Sequence, residues 1–204
     1  MSADARRSIA VAITGASGAI YAMRTLAALL ERGCDIELIV SEYGRRLLRD
    51  ELGDAASFDR LTSYLASKCR VDAEKGRITV HSNKDLGATI ASGSHGCQAM
   101  VVVPCSMKSL AGIAHGLSRN LVERAADVML KERRLLIIVP RETPMSLPQL
   151  KNMVLCAEAG AMIMPAMPAF YQMPRTLDDL ADFMAGKILS ALGFEHELYP
   201  AWKG

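Results

Sequence analysis

The 204-residue chain is poor in aromatics, which make up 5% of it, and it has a single tryptophan. Its large apolar share is therefore aliphatic, mostly Ala, Val, Leu, Ile and Met, which suits layered Val/Ile strands and Ala/Leu helices. No sign of charge dominates. The formal net charge is +2, so composition gives no reason to expect a nucleic-acid partner. The five cysteines, Cys34, Cys69, Cys97, Cys105 and Cys156, stand far apart with no C-x-x-C pair. Their odd number and spacing argue against a disulfide framework and a zinc site. His81, His95, His115 and His196 show no metal-ligand spacing with one another or with cysteine. No apolar run is long enough to span a bilayer. The polar opening over residues 1–7 lacks the apolar core of a signal peptide, so a cytoplasmic location and no membrane span are expected. A G-x-S-x-G elbow is missing too, which removes support for a serine hydrolase. Repeats and low-complexity linkers are lacking, and the length fits one domain over 1–204 with a tail from 193 that carries Trp202.

What is present is an alternation of strand and helix patterns from end to end. Buried strands are read at residues 8–14, 36–40, 99–104, 135–139 and 161–164, with a short one at 78–80. Helices are read at 19–30, 42–52, 61–66, 110–115, 121–133, 148–159 and 177–192. Gly33 stops the first. Asn120 and Thr176 cap two others, and Pro148 opens one. Pro104 and Pro140 are expected to end their strands, because proline donates no N–H to a central ladder. The order argues for an α/β fold, a three-layer doubly wound, mostly parallel sheet.

Strand ends carry the candidate chemistry, since open α/β sheets bind ligands where a strand hands over to a helix. Thr14-Gly-Ala-Ser-Gly18 is a tight glycine turn with a hydroxyl at Ser17. It is not the dinucleotide fingerprint G-x-G-x-x-G, because Ser17 holds the middle glycine's place. Cys105-Ser106-Met107-Lys108-Ser109 offers hydroxyls and a cation at a helix start, where exposed N–H groups and the helix dipole favour a phosphate. Arg124 and Lys131 lie seven apart on one helix face. Arg141 and Glu142 follow a strand, and Lys187 lies on the last helix. Pro168-Ala-Phe-Tyr-Gln-Met-Pro174 is a rigid aromatic loop. Each piece also has a plain reading: a βα turn, a capped helix, solvated charges, a loop folded under its own aromatics.

Taken together, these segments resemble the UbiX-type flavin prenyltransferases. The resemblance rests on Thr14-Gly-Ala-Ser-Gly-Ala-Ile-Tyr21, Ser92-Gly-Ser94, Pro104-Cys-Ser106 with Lys108, Asn120-Leu-Val-Glu-Arg-Ala-Ala-Asp127, Leu130-Lys-Glu-Arg-Arg134, Pro140-Arg-Glu-Thr-Pro144 and Pro168-Ala-Phe-Tyr171. It covers nearly the whole chain. It implies a Rossmann-like, flavodoxin-like fold, FMN as cofactor, dimethylallyl phosphate as prenyl donor, and a dodecamer with sites at subunit contacts. The activity implied is metal-independent transfer of a dimethylallyl group to reduced FMN, giving prenylated FMN with a fourth ring. A UbiD-type decarboxylase would receive that product, in ubiquinone biosynthesis or aromatic acid breakdown.

By the same resemblance, Gly15, Ala16, Ser17, Ser41, Cys105, Ser106, Met107, Lys108 and Arg141 would hold FMN. Ser92, Gly93, Arg124, Lys131, Glu142, Tyr171 and Lys187 would hold the donor, with Ser17, Lys131 and Glu142 catalytic. Two departures stand out: Lys187 where many relatives have arginine, and Leu86 where some have tryptophan. A related class, the FMN-dependent cysteine decarboxylases, carries P-A-S-A-N-T where this chain has Pro104-Cys-Ser-Met-Lys-Ser109. A non-catalytic flavin carrier is the other alternative; it would have no use for a second phosphate site.

Overall fold

The computed structural model describes residues 6–69, 71–72, 75–94 and 96–200. His95, Trp202 and the rest of 201–204 lie outside them. Six strands form one sheet, and every pairing in it is parallel. They are β1 (Ser8–Ile13), β2 (Asp35–Val40), β3 (Arg77–His81), β4 (Ala99–Cys105), β5 (Leu135–Pro140) and β6 (Met162–Ile163), arranged β3-β2-β1-β4-β5-β6. The helices are α1 (Ala19–Glu31), α2 (Glu42–Leu52), α3 (Leu61–Lys68), α4 (Met107–Ala114), α5 (Leu121–Lys131), α6 (Leu147–Glu158) and α7 (Leu177–Ala191). The expected α/β doubly wound architecture is what the chain adopts.

Successive strand residues point to opposite faces, and both faces are apolar. Ile9, Val11 and Ile13 enter one core with α1, α2, α3 and α7. Ala10 and Ala12 enter the other with α4, α5 and α6. A strand buried on both sides reads as a continuous apolar run, as all seven buried residues of β4 do. The last helix folds back onto the first. Ala185, Ile188 and Leu189 share a core with Leu26 and Leu29, and Arg24 grips Asp182 with two hydrogen bonds of 2.5 and 2.6 Å. Arg7 donates to the Leu192 carbonyl at 2.7 Å.

Three expectations need correction. Pro104 does not end its strand but lies inside it, one residue before Cys105, whereas Pro140 is the last residue of its strand, as expected. The β4–β5 register shifts between Val102 and Cys105, so the ladder steps past a residue without an N–H. The two proline carbonyls still accept, from Thr14 and Ala166. The segment 161–164 is no core strand but a two-residue edge strand, half-exposed. The helix after β4 starts at Met107, capped by Ser106, so Lys108 and Ser109 belong to its first turn.

The histidine of β3 has a local partner. Its ring Nε2 sits 2.5 Å from the Glu37 carboxylate on β2, which is 8% exposed. Among the described residues, no helix is long and apolar enough to cross a membrane.

Candidate active site

In this strand order the winding reverses between β1 and β4, and ligands of open α/β sheets bind in the crevice at such a point. One buried side chain ties the two strand ends together. The Thr14 hydroxyl donates to the Pro104 carbonyl at 2.8 Å and accepts from the Ser106 N–H at 2.7 Å. It spans the seam and fixes where α4 begins.

Two helix N-termini open at this end. Ser41 caps α2, its Oγ accepting from the Gly44 N–H at 3.0 Å. Ser106 caps α4, accepting from the Ser109 N–H at 3.2 Å. Between them lies a cleft of about 390 Å³, within the roughly 300–1,000 Å³ usual for small ligands. Gly15, Ser41, Tyr43, Ser106, Met107, Lys108 and Glu142 are among its lining. The cleft needs glycine at position 15, because a Cβ there would meet the Tyr43 Cβ at 2.6 Å. Asn83, Asn120, Val122 and Glu123 complete one wall. Asn83 accepts from the Leu121 N–H through its carbonyl and from the Val122 N–H through its side chain, so it anchors the start of α5.

The glycine turn is held from across the sheet. Arg141 Nε donates to the Ser17 carbonyl at 3.0 Å. Glu142 follows directly, its Oε1 accepting from the Thr143 N–H at 3.0 Å. At two of the expected contact positions the side chain is buried. Ala16 is 4% exposed. Cys105 is fully buried against the α4–α6 core, where burial drives its thiol pKa far up. The backbone, not the thiol, represents Cys105 here: its carbonyl accepts from the Arg141 N–H. Gly15, Ser41, Ser106, Met107, Lys108 and Glu142 thus converge on the cleft, with Ser17 and Arg141 beside it.

The remaining candidates form two other groups. α5 is pinned at the carboxyl end of the sheet by Asn83, and at 1.5 Å per residue Lys131 sits about 16 Å away from its cap. There Lys131 pairs with Glu132. A Cβ on Gly93 would lie 2.8 Å from Lys131 Nζ, so that loop packs closely on it. Arg124 donates to the Ala91 carbonyl at 3.1 Å and to Asp127 at 2.7 Å. Ser92, Gly93, Arg124 and Lys131 therefore lie along one flank of α5, from Arg124 one turn beyond the cap to Lys131 near the amino edge of the sheet, and Ser92 hydrogen bonds Ser94 at 2.8 Å. The third group lies on the opposite face. Tyr171 is 52% exposed and meets Phe183 of α7 edge to face at 6.2 Å, while Lys187 is exposed further along α7. Neither Lys131 nor Lys187 lines the cleft that Glu142 lines.

Sequence reasoning missed Tyr43 and Asn83 as wall residues, and Thr14 as the seam. A hydroxyl at the last buried position of a strand was the available signal for Thr14.

A glycine turn, two serine-capped helix starts and a lysine around one crevice fit the phosphate tail of a flavin mononucleotide. The family model for flavoproteins matches residues 2–189. The flavin prenyltransferase UbiX of Halalkalibacterium halodurans is 46% identical over 196 residues, covering 94% of this chain and 91% of the relative. The chain belongs to the flavoprotein family and, within it, to the UbiX-type flavin prenyltransferases. Two solved structures match the fold closely. One is the UbiX protein AnUbiX in complex with FMN and dimethylallyl pyrophosphate, with a TM-score of 0.87, 38% identity and 98% of each chain covered. The other is a dodecameric FMN-dependent UbiX-like decarboxylase from Escherichia coli, with a TM-score of 0.84, 38% identity, and 97% and 100% covered.

Proposed function

We propose that this chain is a flavin prenyltransferase that moves a dimethylallyl group from dimethylallyl phosphate, or its pyrophosphate, to reduced FMN. The observation that carries the reading is the β1–β4 crevice, with the Ser41 and Ser106 helix caps and Lys108 turned to it. These groups hold the ribityl phosphate, with Gly15 letting the backbone come close. Reduced FMN, when bound, supplies the electron-rich ring to which the prenyl group is attached. Ser17, on the turn held by Arg141, faces that ring.

The donor's allylic C–O bond breaks with its electron pair going to the phosphate. Charge therefore grows on the phosphate oxygens. Arg124, Lys131 and Lys187 stabilise it and Tyr171 donates a hydrogen bond, which is pre-organised electrostatic catalysis. Ser92 and Gly93 shape the wall beside Lys131. The Glu142 carboxylate would take up the proton displaced where the prenyl group bonds to the ring and pass it to the departing phosphate, a task worth about 10²–10⁴-fold in rate.

Because these residues fall in three places on one chain, a working site draws Lys131 and Arg124 from one copy, Tyr171 and Lys187 from another, and Glu142 from a third or shared one. An assembly of many copies, a dodecamer as in the Escherichia coli relative, supplies that geometry. The prenylated FMN then passes to a UbiD-type decarboxylase in the cytoplasm.

The test is anaerobic incubation with reduced FMN and dimethylallyl phosphate, followed by mass analysis of the released flavin. A flavin heavier by one five-carbon prenyl unit is expected, and that flavin should activate a UbiD-type decarboxylase prepared without it. Unchanged flavin with either donor, despite FMN binding, would overturn the reading. Replacing Glu142 by glutamine should cut the rate by about 10²-fold or more while FMN stays bound.

A further inference from the structure

A helix begins with four N–H groups that have no partner inside it. In α5 two asparagines take all four. The Leu121 N–H donates to the Asn83 carbonyl at 2.9 Å, and the Val122 N–H to Asn83 Oδ1 at 3.1 Å. The Glu123 N–H donates to Asn120 Oδ1 at 3.1 Å, and the Arg124 N–H to the Asn120 carbonyl at 2.9 Å. Although α5 starts at the wall of the cleft, its backbone has no donor left for a ligand.

The same bonds orient the Asn83 amide. Only its oxygen can accept from an N–H, so the Val122 bond decides which end is the nitrogen. That Nδ2 group has two protons to donate and no protein acceptor among the described residues. Asn83 itself is half-buried in the cleft lining. Strand register sets its place there. His81 of β3 lies beside Ile39 of β2, and continuing that register by two residues brings Asn83 beside Ser41, the cap of α2. Positive charge is scarce in the cleft. Among the described lining residues Lys108 is the single cation, against Glu42, Glu123 and Glu142. Arg119 closes on Glu123, its Nε donating at 3.3 Å and its Nη2 at 3.2 Å. An anion in this cleft is therefore held largely by neutral donors.

We infer that Asn83 is a phosphate-recognising residue: its Nδ2 group donates to the phosphate of FMN beside the Ser41 cap. The inference rests on the flavin reading above and deepens it. One side chain then has two tasks. Its oxygen seats the start of α5, and its nitrogen distinguishes a flavin that carries a phosphate from one that does not. A bond from a neutral amide to a charged phosphate is about twice as strong as a neutral pair.

The experiment measures FMN and riboflavin dissociation constants by fluorescence titration for wild type, Asn83→Asp and Asn83→Ala, with the thermal midpoint of each ligand-free protein. Asn83→Asp keeps an oxygen for the Val122 N–H, and the helix dipole favours a carboxylate there, so its midpoint stays at or above that of wild type. It removes the donor and sets a negative charge against the phosphate. FMN affinity is expected to fall by about tenfold or more, while riboflavin, which has no phosphate, binds as it does to wild type. Asn83→Ala also loses the α5 anchor, so it lowers the midpoint, yet it weakens FMN less than Asn83→Asp does. The Asn83→Asp loss persists in roughly 1 M potassium chloride, where the Debye length is about 3 Å and charges that do not touch are screened. FMN bound by Asn83→Asp as tightly as by wild type would overturn the inference, as would equal losses for FMN and riboflavin, or a loss that vanishes at high salt. Wild-type FMN binding tests the flavin reading by itself. Its failure brings down both, whereas FMN binding that the variant does not weaken brings down the Asn83 role alone.

Discussion

At the scale of single residues, burial and hydrogen bonding decide what a side chain can do, and the cysteines show it most plainly. Burial raises the Cys34 and Cys156 thiols from an ordinary value near 9 to about 11. An unfolded chain loses these protons first, so it binds fewer protons than the native one above pH 9. Stability from these thiols is fully present below pH 9 and drains away as pH rises through 11. Denaturant midpoints measured across pH 8–11 should fall with pH, and Cys34→Ser and Cys156→Ser should each flatten that fall. A midpoint constant to pH 11 would contradict the buried thiols. Residue-level reading from the sequence succeeded where local rules suffice. Asn120 and Thr176 cap their helices as expected, with bonds of 3.1 Å each to Glu123 and Asp179 N–H groups. It did not show that the Cys105 side chain faces the core, because facing core or cleft at the end of β4 depends on the register shift beside Pro104, which periodicity does not report.

Between residue and fold, helix ends and short loops carry the site. The 92–94 loop packs so closely on α5 that a Cβ at Gly93 would reach 2.1 Å from Glu132 Oε1. The atoms in the way are far ends of flexible side chains, so the fold yields without unfolding. Gly93→Ala should therefore displace the Lys131–Glu132 pair, leave the thermal midpoint nearly unchanged, and raise the donor KM by roughly tenfold, the scale of about 1.4 kcal/mol. A donor KM equal to wild type in steady-state kinetics would show that Lys131 does not serve the donor. Most elements were legible in the sequence because apolar periodicity and punctuation agree: Gly33 follows the Arg32 cap of α1 at φ 70°, and α6 has Pro148 in its first turn. The proline inside β4 was not, since breaking a ladder at one residue is compensated by Thr14, ninety residues away. The reach of the last strand was overestimated, as an apolar tetrapeptide gives no sign of lying at a sheet edge.

For the molecule as a whole, the topology separates what the proposed chemistry joins. Glu142 lies at the carboxyl end of the sheet, Lys131 near its amino edge, and Tyr171 and Lys187 on the opposite face. If neighbouring copies close each site, two inactive variants can repair one another. Glu142→Gln and Lys131→Ala chains, each inactive alone, should recover a measurable fraction of activity when unfolded together and reassembled, because some sites draw both intact residues from different copies. Recovery no greater than the sum of the separate variants would place both residues in one chain's site. The fold class was readable from alternation alone. That the candidate residues fall on three surfaces of one chain was not, because spacing along a helix says which face a residue takes but not which neighbour that face will meet.

The return of α7 onto α1 bears on how the chain is made. The ribosome delivers β1 and α1 first and the α7 residues almost last, yet Ala185, Ile188 and Leu189 cover the apolar side of α1. Until about residue 190 has emerged, the first helix has no roof, and central β1 waits for β4 before its second neighbour exists. Synthesis at about 5–20 residues per second leaves that surface bare for many seconds. A nascent chain stalled before α7 would be the form that aggregates or recruits a chaperone, and the Arg24–Asp182 grip is the latch that ends the exposure.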